Sequence, residues 1–462
     1  VLLLRVQLEK TKPWRILMAA PSPLIERRSH DPEVERRYTS RIPKPVPKGK
    51  FRTLGLGIIT GAADDDPTAV GTYASAGAAF GPFILWVVPL AYPMMVIVVY
   101  LSSKLGQVAG QGLTAVIRQH YPRWVLWGTV VGVTLANLAG TAADIGGVSA
   151  AGNLILPIPM IWFVVPVTLT ILGLQIFGSY ELIRRVFRWV ALALFAYVAS
   201  AILAHPNFGA VLRGTFIPSF HLDRTLLTML VAVVGTSLSP YLFVWEPDQQ
   251  VSEDISLGRR RLNDRVGTTK EEQKHSFIDV SVGMLVANLI IYFIILCTGS
   301  TLFRAGIHEV NTAAEAASAL RPLAGDAAGW LFAAGLIGVG FLAIPVMTTG
   351  IAYAICQAMG WKHGLSLKFS EAREFYAIIV ISHLLAMSVN FFGLNPIKAL
   401  LWAGVIEGLL AAPLMLLTMM ITTNHTIMGQ WVNRPLTNLV GWATTVVTFA
   451  ASFGVVYAWL HG

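Results

Sequence analysis

The chain has 462 residues, 55% of them hydrophobic and only 13% charged, far below the roughly one quarter charged that soluble domains carry. Its mean hydropathy is +0.63, and apolar runs of about 20 residues, the length that crosses roughly 30 Å of hydrocarbon, recur along most of it. That excludes a soluble globular domain. The formal net charge of +9 raises the question of nucleic acid, which the placement of the charges answers below.

In chain order, residues 1–50 come first. They are basic, proline-punctuated and expected to form a mobile cytoplasmic tail. The opening "VLLLRVQLEKTKPWRILMAA" is too interrupted by charge to be a signal-peptide core, so insertion is expected to start at the first span. Eleven spans follow: 53–79 (broken), 82–104, 124–153, 158–177, 186–204, 225–248 (broken), 277–301, 328–359, 375–393, 396–422 and 438–460. With the N-terminus inside, the outer loops hold only Arg213, Arg224, Arg304, Arg321 and Lys398 out of 34 Lys and Arg. This positive-inside bias orients the chain and accounts for the basic excess as a topology and lipid signal, with no nucleic-acid partner expected. Plasma (inner) membrane residence follows as an expectation. Cys297 and Cys356 both lie in apolar runs, so neither a disulfide framework nor a CxxC metal site is expected.

The first span contains "GAADDDPTAVG", with Asp64, Asp65 and Asp66 followed by Pro67. The sixth contains "VVGTSLSPYLF", with Gly235, Ser237, Ser239 and Pro240 at its middle. Proline removes a backbone donor and clashes with the preceding turn, so both spans should break. Asp66-Pro67 and Ser239-Pro240 stand 173 residues apart, with five spans starting from each break. That is the pattern of a five-plus-five inverted repeat, helices 1–5 over 51–204 and helices 6–10 over 222–423, with an extra eleventh helix over 438–462. Paired breaks free carbonyls that must line a cavity, and carboxylates beside them make an electronegative, cation-seeking site. One intramembrane Asp costs about 2.5–3.5 kcal/mol on insertion scales, so three in a row call for a reason. Asp66 is expected to contact a cation directly or through water. Asp64 and Asp65 either join it, or cap half-helices or sit in a water-filled vestibule.

Other polar residues inside spans follow the same test. Glu407, in "LLWAGVIEGLLAAPLML", either takes part in the path or gates it, or is structural. Glu246 and Asp248, in "FVWEPDQQ", either form a negative inner vestibule with Gln249 or solvate the helix exit. Asn137, Asn288 and Asn390 are expected to make interhelical hydrogen bonds, His383 to be a satisfied core residue, and the methionines of "PLMLLTMMI" to pack. No HExxH, Walker loop or Ser-His-Asp setting is present, and no GxGD-like partner completes an intramembrane aspartyl protease, so no enzyme and no resident cofactor are expected.

With "DDDPT" and "GTSLSPYLF" together, the chain resembles the natural resistance-associated macrophage protein (Nramp) family of divalent-metal transporters, most strongly its bacterial magnesium-carrying relatives. The resemblance covers about residues 50–460 and implies an all-α, LeuT-like (APC-type) fold. Where that family has Asp-Pro-Gly-Asn, this chain has Asp66, Pro67, Thr68 and Ala69. Where it has Ala-x-x-Met-Pro-His, this chain has Thr236, then Ser239, Pro240 and Tyr241. The third-helix aspartate linked to proton transfer matches Asp144, but the nearby glutamate position is Gly147, and the ninth-helix arginines have no counterpart.

The departures have chemical consequences. A thioether favours soft, late metals; a hydroxyl in its place leaves an all-oxygen site suited to Mg²⁺, Ca²⁺ or Mn²⁺. Mg²⁺ normally keeps several waters, which a roomier site would admit. The resemblance therefore implies import of partly hydrated Mg²⁺ with Mn²⁺ tolerated. Asp66 would supply charge, Thr68 and Ser239 oxygen or water contacts, Thr236 a freed carbonyl, and Tyr241 the pocket's shape. Tyr241 cannot replace a histidine in a proton relay near neutral pH, so uncoupled influx is expected, with Asp144 either a lone acceptor or a hydrated inward-facing residue. The rivals are a proton-coupled Mn²⁺/Fe²⁺ transporter, a sodium-coupled amino-acid carrier of the same architecture, and a non-transporting receptor or channel. The sequence leaves the oligomeric state open and is compatible with a monomer.

Overall fold

The computed structural model describes residues 60–61, 64–177, 195–218, 224–259, 261–365 and 367–461. The expected tail over 1–50 lies outside them, as do most of the first half of the first span and the start of the fifth. Among the described residues every regular element is helical. In chain order the main helices are α1 (Pro67–Phe80), α2 (Val87–Ala109), α3 (Leu113–His120), α4 (Arg123–Ile155), α5 (Ile161–Phe177), α6 (Ala196–Leu203) and α7 (Phe208–Phe216). They continue with α8 (Arg224–Ser237), α9 (Pro240–Ser256), α10 (Lys270–Thr301), α11 (Ala328–Met359), α12 (Arg373–Val389), α13 (Pro396–Thr422) and α14 (Pro435–His461).

Among the described residues, eight segments are long and apolar enough to span, with α8 and α9 together counting as one, and α5 is a shorter apolar helix. They coincide with predicted spans two, three, four and six to eleven. α11 and α13 keep their expected limits, Ala328–Met359 and Pro396–Thr422. α10 starts earlier than expected, at Lys270, because Thr269 and Glu272 form a reciprocal capping box that prolongs the helix into its charged entry. Large apolar side chains such as Trp162, Phe216 and Phe453 are strongly exposed around the perimeter, as in a protein whose outer surface faces lipid. The chain is an integral membrane protein.

Both spans break where proline predicts. The first helix bends at Asp65, and α1 restarts with Pro67 at its first position and Asp66 as N-cap. The second stops at Ser237 and restarts at Pro240, leaving Leu238 and Ser239 between. The two breaks stand at the starts of two five-helix repeats of the LeuT-like fold. One group, α4, α5, α11 and α12, packs together as a scaffold; α1 and α9 lie against it, α8 packs on α1 and α13, and α13 bridges α4, α8 and α1.

Glycines set the closest approach. A side chain at Gly235 of α8 would collide with the Gly404 carbonyl and the Gly408 backbone of α13, and one at Gly408 would meet the Val231 carbonyl. Without side chains these two backbones touch, as small-residue packing between membrane helices allows. The three asparagines bridge helices as expected: Asn137 Nδ2 donates to Met347 O (3.3 Å), Asn288 Nδ2 to Val88 O (3.0 Å) and Asn390 Nδ2 to Ala142 O (2.9 Å). Met415 and Met419 are fully buried packing residues, and both cysteines are free and buried. His383 is buried with Nδ1 on Ile379 O (3.0 Å), though its Nε2 lacks a partner.

Overpacking a close contact typically costs about 1–3 kcal/mol. Gly235→Val is therefore expected to lower the detergent melting temperature clearly, while Gly128→Val, where nothing lies within 4 Å, leaves it unchanged. Equal melting of both variants would remove the α8–α13 contact.

Candidate cation site

The N-terminus of α1 is where the site is built. A helix start leaves free N–H groups and a partial positive charge, both of which attract carboxylates. Asp66 Oδ1 accepts from Ala69 N at 2.7 Å as the cap. From α4, Asp144 Oδ1 accepts from both Thr68 N (2.9 Å) and Thr68 Oγ1 (2.7 Å). Two acids thus hold one helix end, each by a single oxygen.

Their remaining oxygens are the notable feature. Among the described residues, Asp66 Oδ2 and Asp144 Oδ2 are buried without a hydrogen-bond partner, as are both oxygens of Asp64, both of Asp65, and Glu407 Oε2. Asp66 feels the charges of Asp144, Glu407 and Asp64, and Glu407 feels Asp144 and Asp64, so the acids share one interior. All five residues are at most 1% exposed. None of the five forms an ion pair with a described Lys or Arg, and the paired Arg259 holds Asp254 and Glu272 instead. Among the described residues no three His, Cys, Asp or Glu side chains converge tightly enough to share one ion. The carboxylates are near neighbours that do not converge on a point.

At the second break the predicted oxygen donors bond to each other. Ser239 Oγ donates to Thr236 O (2.8 Å), and the Thr236 hydroxyl turns back to Ala232 O (3.0 Å). Ser239 faces the Asp64 carboxylate, but its proton goes to that carbonyl. The hydroxyl lone pairs and the carbonyl's second lone pair are left over. Tyr241 is fully buried within the electrostatic reach of Asp64, Asp66, Glu407 and Asp144. Tyr73 OH and Ser237 Oγ, 2.9 Å apart, join α1 to α8 beside it.

Several predicted residues thus stand together: Asp64, Asp65, Asp66, Thr68, Asp144, Ser239, Tyr241 and Glu407. Asp64 and Asp65 do not cap half-helices; Asp66 does. Asp144 is bound to Thr68 and not to water at an open face. Glu246 and Asp248 stand apart from this group and are buried, so they do not solvate a helix exit. Glu246 accepts from Thr60 Oγ1 (2.9 Å), tying the first half of the broken first helix to α9, and from Gln250 Nε2 (3.2 Å). Asp248 is held by Gln357 Nε2 at 2.7 and 2.8 Å, and Gln357 Oε1 accepts from Ala115 N of α3 (3.0 Å). These contacts pin α9 to α11 and α3.

Sequence reasoning did not single out Gly140, Met347, Thr60 or Gln357. A Cβ on Gly140 would sit 2.6 Å from Glu407 Oε1 and 3.1 Å from Met347 Sδ, so that glycine makes room for Glu407. Thr141 Oγ1 lies 3.8 Å from the same sulfur, as donor. The available signal was periodicity: Asn137, Gly140, Thr141 and Asp144 recur at helical spacing on one face of α4.

The Natural resistance-associated macrophage protein-like family matches residues 57–458. This chain belongs to the Nramp family. Similar relatives include the divalent metal cation transporter MntH of Deinococcus radiodurans, 27% identical over 428 residues, covering 90% of this chain and 92% of that one. The MntH of Bacillus subtilis is 26% identical over 410 residues, covering 87% and 91%. Among solved structures, the Eremococcus coleocola manganese transporter superposes with a TM-score of 0.67 at 17% identity over 89% of each chain. MhsT in complex with L-phenylalanine superposes at 0.57 and 12% identity, over 88% of this chain and 98% of that one. These two structures share the Nramp chain's fold, and their likeness extends no further than that.

Proposed function

We propose that the chain is a transporter that imports a divalent metal cation, with partly hydrated Mg²⁺ as main cargo, Mn²⁺ tolerated and no proton coupling. The observation that carries this is the set of seven buried carboxylate oxygens without partners, gathered from Asp64, Asp65, Asp66, Asp144 and Glu407. Two unit charges 4 Å apart repel by about 4 kcal/mol at an effective dielectric constant of 20, so such a cluster favours a multiply charged positive guest. The family and the names of the relatives point the same way.

Three features support a hard, hydrated ion. The donors at the breaks are all oxygen, with Ser239 at the place where the resemblance expects a methionine. Among the described residues the carboxylates do not converge on one point, which suits contact through water. Hydroxyl groups at Thr68 and Ser239 keep lone pairs for such waters. In this reading Asp66 Oδ2 provides the nearest charge, the Thr236 carbonyl and Ser239 flank the path on the other side, and Tyr241 closes the pocket. Alternating access would rock α1, α8 and α9 against the α4, α5, α11 and α12 scaffold. That motion would part the Asp248–Gln357 contact between α9 and α11, with the N-terminus and this contact on the cytoplasmic side of the plasma (inner) membrane. A divalent ion crossing 100 mV gains about 4.6 kcal/mol from roughly 2.3 per charge, enough for uptake without protons.

A second reading, a proton-coupled Mn²⁺/Fe²⁺ transporter, is favoured by Met347. Its soft sulfur lies beside Glu407 and the interior acids.

Asp66→Ala should lower Mg²⁺ uptake into proteoliposomes on the order of 100-fold, matching up to about 3 kcal/mol for one charged contact. Unaltered uptake would remove Asp66 from the path. Mg²⁺ influx should leave the internal pH of vesicles loaded with a pH dye unchanged; metal-driven acidification selects the second reading. Ser239→Met should shift competitive uptake towards Mn²⁺ or Cd²⁺ over Mg²⁺ by about tenfold, roughly 1.4 kcal/mol, and an unchanged ranking would refute the role of the hydroxyl in selectivity.

A further inference from the structure

At the end of the bundle that the Lys and Arg bias assigns to the cytoplasm, α2, the first turns of α10 and the start of α14 border a half-open cavity of about 980 Å³. Val96, Ile97, Phe277, Leu436 and Val440 give it an apolar wall. Lys104, Lys270, Lys274 and Arg434 line its polar part, and no carboxylate lines it. The nearby carboxylates Asp254 and Glu272 are already bound to Arg259, at 2.8 and 2.7 Å.

Lys104 sharpens the case. It is 4% exposed, and its Nζ donates to Asn433 Oδ1 at 3.0 Å, a neutral partner. Arg434 stands close enough to repel it. A buried ammonium beside a second cation is unfavourable unless an anion joins them. The cavity walls are themselves braced: Tyr100 OH donates to Gln273 Oε1 (3.1 Å) and Tyr92 OH to Ser281 O (3.2 Å). The occupant therefore needs a negative head and an apolar body. A soluble anion lacks the body, and the chain's own residues 1–50 are basic and would be repelled.

We propose that this cavity binds one anionic phospholipid of the cytoplasmic leaflet. Its phosphate lies among Lys104, Lys270, Lys274 and Arg434, and an acyl chain runs along Val96, Ile97, Phe277 and Val440. Basic pockets between membrane helices on this side take such head groups. The lipid fills the space between α14 and the α2–α10 pair, and this site is independent of which ion the protein carries.

The test is native mass spectrometry of the purified full chain, titrated with phosphatidylglycerol or phosphatidylcholine, beside detergent melting curves. One phosphatidylglycerol should bind saturably and raise the melting temperature, and phosphatidylcholine should do neither. Replacing the three exposed cations together (Lys270→Gln, Lys274→Gln, Arg434→Gln) should weaken retention roughly a hundredfold, about fivefold per cation. Val440→Trp, which fills the groove and keeps every charge, should also release the lipid. Equal retention of the two lipids, or binding untouched by the triple variant, would overturn the proposal. So would displacement by millimolar inorganic phosphate, which would make this a free-phosphate site, or full binding to Val440→Trp, which would mean diffuse surface attraction.

Discussion

The hold that Asp66 and Asp144 exert on the first N–H groups of α1 governs the arrangement of the interior. An unbroken helix would offer no free N–H in mid-membrane, and neither acid would have a donor there. Because Pro67 starts α1 in the middle of a span, a helix end with its partial positive charge is buried where carboxylates would otherwise be strongly disfavoured. Each acid satisfies one oxygen at that end and presents the other to the same interior as Asp64, Asp65 and Glu407. The backbone break is thus both what makes the acids tolerable and what leaves them incomplete.

The second break complements the first by chemistry of the opposite kind. Between α8 and α9 the free groups are a carbonyl and hydroxyls, and the Ser239 hydroxyl donates to the Thr236 carbonyl. Contact between glycine backbones of α8 and α13 brings this break next to Glu407, whose neighbours in sequence include Gly408. Gly140 clears space on the α4 side for the same carboxylate. Small residues therefore do more than pack helices here: they bring acids from the first break, α4 and α13 close to one another.

Towards the end bearing most of the basic loops, the polar chemistry changes from unpartnered to satisfied. Glu246 and Asp248 each have specific donors, from Thr60 and Gln250 and from Gln357. A satisfied buried network rigidifies, whereas the orphaned carboxylates above it invite a ligand. The same end holds the opposite imbalance in the α2–α10–α14 cavity, which four cations and no carboxylate among the described residues line. Unmatched charge of either sign inside a membrane protein marks a place completed by something other than the protein.

The sequence by itself determined the class, most of the spans and both breaks, because hydrophobic run length and proline act locally and need no knowledge of neighbours. It also singled out Asp66, Asp144 and Glu407, since a carboxylate inside an apolar run is conspicuous in one dimension. It could not tell that Asp144 reaches across to Thr68, because hydrogen-bond partners 76 residues apart are set by how helices cross, nor which local partner, three residues away, Asp66 and Ser239 each take. Nor could it separate the incomplete acids from the satisfied ones: Glu407 and Glu246 both read as intramembrane carboxylates. Tertiary packing alone decided that, by setting Glu246 against Thr60 and Glu407 against a glycine that has no donor to offer.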